Sequence, residues 1–360
     1  MKVYVYPGDL HGCGHYRMIW PAMALQALGH DVVLVPPHAR GGSLQAGVNA
    51  AGEVVSVGIP EDADVIVLQR ITHRHLIGAI EIMRAQGVAV VMDIDDDLAT
   101  IHPENGAFAA LHPRNAARPD HNWKNAQLAC EASTLVTVST PALLRRYGSR
   151  GNGRVVRNCV PASYLDIPHV DSDVIGWGGS MHSHPNDPQV VGTAVARLQR
   201  EGRTFRVVGP GTGVREALHL DVEPEKTGVL DLVDGSYPRG LAGLGVGIAP
   251  LADSRFNKSK SRLKPVEYAA CGVPCVMSPR SDYVHVNDLG IGWVAHKPDD
   301  WYRQLRQLTS DEATRRELSE HGRDVARTLT IEGNAWRWLE VWDEAFKTER
   351  QNRPVFGRVR

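Results

Sequence analysis

No stretch of this 360-residue sequence runs apolar for the roughly 18 residues that a membrane-spanning helix needs. Neither sign of charge is in excess. The 40 Lys and Arg oppose 41 Asp and Glu, which argues against a chain held on nucleic acid or anionic lipid by bulk electrostatics. Cysteine is scarce: Cys13, Cys130, Cys159, Cys271 and Cys275 form an odd set with no CxxC pair, which does not suit a disulfide framework and suits a reducing cytoplasm. The N-terminal MKVYVY is a strand pattern rather than a charged leader followed by an apolar stretch, so a soluble, unexported protein without stable membrane insertion is expected. Aromatics are only 6% of the chain, yet three of its 8 tryptophans, Trp336, Trp338 and Trp342, fall near its end and suggest a terminal helix docking on a large partner surface.

What is present is a repeated α/β grammar. Apolar runs at 2–6, 31–35, 54–57, 64–68, 88–92, 135–139 and 154–156 alternate with helical stretches, as a parallel sheet buried on both faces does. After a Pro-containing stretch at 158–168 the same grammar restarts, with strands expected at 174–177, 205–208, 246–250 and 274–277 and helices at 188–200 and 263–270. Two Rossmann-like domains follow, 1–165 and 166–330, and then a segment 331–360 of helix and Arg-rich tail.

Three constellations can carry chemistry. The first is GDLHGCGHYR, a Gly-rich turn after the first strand in which Gly12, Gly14, His15 and Arg17 mark a site rim; the spacing is not GxGxxG, and a plain strand-to-helix turn is the alternative. The second is DIDDD at 93–97. Its four carboxylates require a nearby cation, helix start or basic partner, and serve either a metal-diphosphate or an acceptor-side and structural role. The third is the run 249–277, where Arg255, Lys258, Lys260, Arg262 and Lys264 face one acid, Asp253. It feeds a helix on which Lys264 and Glu267, three residues apart, share one face, a cation for a diphosphate beside a carboxylate for ribose hydroxyls. The alternative is a solvated basic loop in which Lys264 and Glu267 only pair with each other.

The stretch 250–274, with its Phe-Asn, Lys-Ser, Lys and Glu-Tyr-Ala-Ala-x-Gly-Val-Pro pattern, resembles the donor-binding motif of retaining glycosyltransferases of the GT-B fold, the glycosyltransferase 1 or GT4-like group. The opening strand, loop and helix and the closing Trp-rich helix are similar to the same group. The resemblance implies two Rossmann-like domains with a cleft between them, the first binding the acceptor and the second a nucleotide sugar, with the last helix returning to the first domain. It implies that Glu267 holds the donor ribose. The other glutamate of the family's E-x7-E pattern is replaced by Ser259, and the usual Arg and Lys after the first strand of the second domain by Gly178, Gly179, Ser180, Met181, His182, Ser183 and His184.

On this resemblance the diphosphate rests on Lys264, Lys260 and the amides of Gly178, Gly179 and Ser180, while Asn257 and Ser261 contact the sugar and diphosphate. Gly12 and Gly14 complete the donor rim, and His15 and Arg17 join Lys264 and Glu267 as catalytic candidates. Asn158, Gln69, Arg70 and His73 are further candidates for sugar or acceptor contacts. The implied activity is metal-independent, retaining sugar transfer from a UDP- or GDP-sugar co-substrate to an acceptor hydroxyl, without a cofactor. The acceptor is left open among protein, glycan, small molecule and modified nucleic acid. A GT-B epimerase or phosphorylase and a non-catalytic bilobal binding protein are the competing readings.

Overall fold

The computed structural model describes residues 1–35, 37, 44–112 and 122–352; the tail at 353–360 lies outside the described residues. The chain divides into two compact units, Met1–Ala99 with Ala110–Arg157 and Asn334–Arg360, and Thr100–Ala109 with Asn158–Gly333. Residues 158–165, read as the end of the first domain, thus group with the second unit, as does the ten-residue excursion Thr100–Ala109.

The first unit is built on a six-stranded parallel sheet. Its strands are β1 (Val3–Tyr6), β2 (Val32–Leu34), β5 (Val65–Gln69), β6 (Ala89–Ile94), β7 (Leu135–Val138) and β8 (Gly153–Val155), in spatial order β2-β1-β5-β6-β7-β8. Every residue of β5 and β6 is buried, which is why those strands read as apolar runs up to Gln69 and Asp93 near their carboxyl ends. The run at 54–57 behaves differently. It forms β4 (Val54–Gly58), which pairs antiparallel with β3 (Gln45–Val48) in a separate two-stranded ribbon, and its exposed Val55 shows that one apolar side chain stays in water.

The closing helix Trp336–Gln351 belongs to this unit and packs on β5, β6 and β7. Trp338 and Trp342 are buried and Trp336 is half exposed. Glu349 anchors the far end by accepting from Arg84 Nε at 2.8 Å and from the Thr134 hydroxyl at 2.6 Å.

The second unit repeats the plan with β9 (Ile175–Gly178), β10 (Phe205–Val208), β11 (Glu225–Lys226), β12 (Val246–Ala249), β13 (Cys275–Met277) and β14 (Trp293–Val294), all parallel in the order β11-β10-β9-β12-β13-β14. Ile175, Trp177, Phe205, Val207, Val246 and Ile248 pack with Val195 and Leu198 of the helix Ala194–Arg200 and with Trp301, Leu305 and Leu308 of the helix Pro298–Ser310. Among the described residues no helix is long and apolar enough to cross a membrane, and all five cysteines are free.

Candidate functional site

In an open parallel sheet the crevice for a ligand lies outside the carboxyl ends of the strands, at the point where the winding reverses. In the second unit that point falls between β9 and β12, because β9, β10 and β11 wind one way and β12, β13 and β14 the other. The loops at this crevice are 179–187, after β9, and 250–262, after β12, and the second leads into the helix Leu263–Ala270.

That helix carries the centre of the site. Lys264 Nζ lies 2.7 Å from Glu267 Oε2, so the predicted pair on one helical face is made. A third member completes it. Tyr237, from the helix Ser236–Ala242, accepts from Lys264 Nζ at 2.5 Å and donates its hydroxyl to Glu267 Oε2 at 3.0 Å. The ammonium also stands 5.2 Å from the Tyr237 ring centroid. Burial, reinforced by the Glu267 charge, pushes the Tyr237 hydroxyl well above its ordinary pKa, so the phenol stays protonated and able to donate at neutral pH. Glu267 is buried while part of Lys264 reaches solvent, so the cluster presents a cation at its outer edge.

The neighbouring Tyr268 locks the strand ends. Its hydroxyl accepts from the Gly178 amide at 2.8 Å and donates to the Ile248 carbonyl at 3.1 Å. The Gly179 amide donates to the Val208 carbonyl at 3.3 Å. These two bonds correct the expectation that the Gly178 and Gly179 amides stand ready for a diphosphate: both are spent inside the protein. Ser180 instead organises the next turn, its Oγ accepting from His182 N–H and its carbonyl from Ser183 and His184 N–H.

The loop after β12 is likewise held from within. Asn257 is buried and its side-chain amide donates to Asp187 at 2.5 Å and to the Ala252 carbonyl at 3.1 Å, which corrects its assignment to sugar contact. Ser261 accepts from Asn158 Nδ2 at 2.8 Å, and the Asn158 carbonyl accepts from the buried Arg262 at 3.3 Å. Ser259 is buried in the short turn Asn257–Ser259. The basic run is therefore not one open patch: Lys258 pairs with Asp253 at 3.2 Å, Lys260 lies 4.4 Å from the Phe256 ring centroid, and Lys264 faces Glu267 and Tyr237.

Asp187 joins the two loops of the crevice. One oxygen accepts from the Ala252 amide at 2.9 Å and from Asn257, and the other faces His184 Nδ1 at 2.7 Å. Burial pushes this carboxyl up, but the hydrogen bonds and the His184 partner outweigh it and leave the pKa below its ordinary value.

In the first unit the winding reverses between β1 and β5. Arg17 sits deep inside, 1% exposed, and its guanidinium grips Asp93 through Nε at 3.1 Å and Nη2 at 2.7 Å while Nη1 donates to the Val156 carbonyl at 2.5 Å. Arg17 is thus no rim residue, and its role as a catalytic candidate is corrected to that of a buried structural cation. Three of the four carboxylates of the acidic run at 93–97 face arginines from three segments: Arg17 on Asp93, Arg70 on Asp95 at 3.6 Å and Arg146 on Asp97 at 2.9 Å. Arg70 also pairs with Asp9 and adopts a left-handed backbone at φ 46°.

His15 is buried, its Nδ1 lies 2.9 Å from the His11 carbonyl and its ring 5.1 Å from that of Trp20. It opens a π-helical turn, His15–Ile19, that follows the short turn Gly12–Gly14. Gly14 is required for packing, since a Cβ there would stand 1.9 Å from the Asp9 carbonyl oxygen. Gln69 donates to the Cys13 carbonyl at 3.0 Å and accepts from the Gly8 amide at 2.9 Å, so it too supports this loop. His73 stacks on His75, their ring centroids 5.2 Å apart.

No family model and no curated protein matches the sequence. Solved structures do match the fold. Sucrose-phosphate synthase from Thermosynechococcus elongatus aligns with a TM-score of 0.62 at 13% identity, over 96% of this chain and 100% of its own. A glycosyltransferase from Rickettsia africae gives 0.59 at 14% identity over 96% and 98%. HepE from Anabaena, solved in complex with UDP, gives 0.56 at 14% identity over 78% and 79%. The chain has a GT-B glycosyltransferase fold. At these identities the likeness speaks for architecture, and the chemistry must come from the site.

Tyr237 and Asp187 are the residues that sequence reasoning missed. The Asp-Gly-Ser-Tyr-Pro stretch at 234–238 announces a helix start but nothing about a partner at Glu267. Asp187 stands three residues after His184, a spacing that does hint at a pair.

Proposed function

We propose that the protein is a glycosyltransferase that moves a sugar from a nucleotide-sugar donor to an acceptor hydroxyl, with retention and without a metal or bound cofactor. The observation that carries this reading is the Lys264, Glu267 and Tyr237 cluster beside the β9/β12 crevice of a sheet. The likeness to HepE, solved with UDP and with UDP-glucose, supports it. In this reading the second unit binds the donor. Glu267 accepts from the ribose hydroxyls and Lys264 faces the diphosphate, where a fixed cation in a partly desolvated site stabilises the charge that develops as the glycosidic bond to the leaving group breaks. The acceptor hydroxyl then adds on the face the diphosphate leaves and gives up its proton to the departing diphosphate. The first unit is the acceptor-binding part, and a cytoplasmic location fits five unpaired cysteines.

The test is a panel of UDP-, GDP- and TDP-sugars incubated with the full chain. One donor is expected to bind and to be hydrolysed slowly without acceptor, and Lys264→Ala and Glu267→Ala are each expected to weaken this. The reading fails if no donor binds, or if both variants behave as the unmodified protein does.

A further inference from the structure

Residues 179–187, the loop after β9, contain no Lys or Arg, and His182 and His184 are their only side chains able to carry positive charge. The two are treated differently by the fold. His184 presents Nδ1 to Asp187 Oδ2 at 2.7 Å, and Asp187 is itself buried and pinned by the Ala252 amide and Asn257. A carboxylate that cannot turn fixes the rotation of the imidazole and engages Nδ1, so Nε2 is the nitrogen left for a ligand. Among the described residues nothing is hydrogen bonded to that Nε2, and the ring centroid lies 6.4 Å from that of Trp177, edge to face.

The backbone around His184 is held as firmly as its ring. The excursion Thr100–Ala109 lies along this loop as a strap. Asn105 Nδ2 donates to the Ser183 carbonyl at 2.8 Å, the Gly106 amide donates to the His182 carbonyl at 3.0 Å, and Asn186 Nδ2 meets His102 Nε2 at 2.9 Å. The fit at Gly106 is close, since a Cβ there would stand 1.8 Å from the His182 ring. A loop needed only to connect β9 to the next helix has no use for an imidazole held at ring and backbone with one nitrogen left without a hydrogen-bond partner among the described residues.

We propose that His184, oriented by Asp187, donates a hydrogen bond from Nε2 to the diphosphate of the donor nucleotide, and that Asn105 and Gly106 of the strap are positioning residues for it. The proposal rests on the nucleotide-sugar reading above. With a carboxylate at Nδ1 and a phosphate at Nε2, both ring nitrogens are donors and the ring supplies the positive charge that the loop otherwise lacks. It complements Lys264, which approaches from the β12 side of the same crevice.

The experiment titrates the full chain with UDP, GDP and TDP and with the three matching nucleosides. For the nucleotide that the unmodified protein binds, His184→Gln is expected to weaken diphosphate binding by about tenfold to a hundredfold, the loss of one charge-assisted hydrogen bond, with nucleoside affinity unchanged. His184→Lys is expected to restore most of the diphosphate affinity. Asn105→Ala is expected to weaken the diphosphate a few-fold and leave the nucleoside alone. The proposal is overturned if His184→Gln leaves the diphosphate affinity intact, or lowers nucleoside and diphosphate equally, or is not rescued by Lys. If the unmodified protein binds none of the three nucleotides, the nucleotide-sugar reading itself falls, an outcome distinct from the others.

Discussion

Arg17 and Asp93, 76 residues apart, form a two-point ion pair inside the first unit, Nη2 to Oδ2 at 2.7 Å and Nε to Oδ1 at 3.1 Å. Thr137 donates its hydroxyl to the same carboxylate at 2.7 Å, and the Arg17 guanidinium lies 5.5 Å from the Trp338 ring, whose Nε1 donates to the Arg17 carbonyl. The pair thus ties the helix after β1 to the end of β6 and to the closing helix.

Removing one member leaves the other charged and buried. Arg17→Met is therefore expected to destabilise the protein by about 3–5 kcal/mol. Urea unfolding followed by tryptophan fluorescence measures it. A loss below about 1 kcal/mol would show that the pair is not desolvated as its burial implies.

The closing helix gives a second stability test of a different kind. Trp338→Ala removes a fully buried indole together with its hydrogen bond to Arg17, and about 3–5 kcal/mol should go with it, whereas Trp336→Ala, half exposed on the same helix, should cost under about 1 kcal/mol. Equal effects from the two would contradict the burial that separates them. Thermal unfolding of both variants is sufficient.

At Tyr237 the expected effect is on binding and turnover rather than folding. Tyr237→Phe removes the hydroxyl that bonds both Lys264 and Glu267 and keeps the ring under the ammonium. Donor turnover should fall by about tenfold, against on the order of 100-fold for Lys264→Ala. If the two variants prove equally inactive, Lys264 depends wholly on the tyrosine; if Tyr237→Phe is silent, the hydroxyl is not part of the site.

Acid should act on Asp187 with a definite sign. Its carboxyl is held below the ordinary 3.8 in the folded protein, so it contributes stability above that value, and the contribution is lost as pH falls through the lower folded value. The stability gap between the unmodified protein and Asp187→Asn should be full above about pH 5 and narrow below about 3.8. Urea midpoints collected from acid to neutral pH give the curve, and a gap that widens on acidification contradicts the direction stated.

How much of this was readable in advance depended on how far apart the partners lie. Strands such as β5 and β6 announce themselves because burial on both faces confines polar residues to Gln69 and Asp93 near their carboxyl ends, while β11 and β14, two residues each at the sheet edges, are too short to show any period. Lys264 and Glu267 were legible as a pair because three residues along a helix bring them together. Tyr237 joins them across 27 and 30 residues, and Asp187 meets Ala252 and Asn257 across 65 and 70, separations at which no local pattern exists. Arg17 misled for the same reason: a cation in a Gly-rich turn looks exposed until its carboxylate, 76 residues on, is seen beside it. The run at 54–57 had the composition of an inner strand, but none of its residues is buried, because it pairs in a separate two-stranded ribbon.

The strap Thr100–Ala109 has a consequence for how the molecule can be taken apart. Because the chain passes between the units after Ala99, Ala109, Arg157 and Gly333, neither unit is one continuous piece of sequence. A fragment beginning at Asn158 would carry β9 to β14 but would leave behind Asn105 and Gly106, which bond the backbone at 182–183. Expressing the second unit alone would remove part of what shapes it, so the two units are better told apart by labels placed in the whole chain than by a cut.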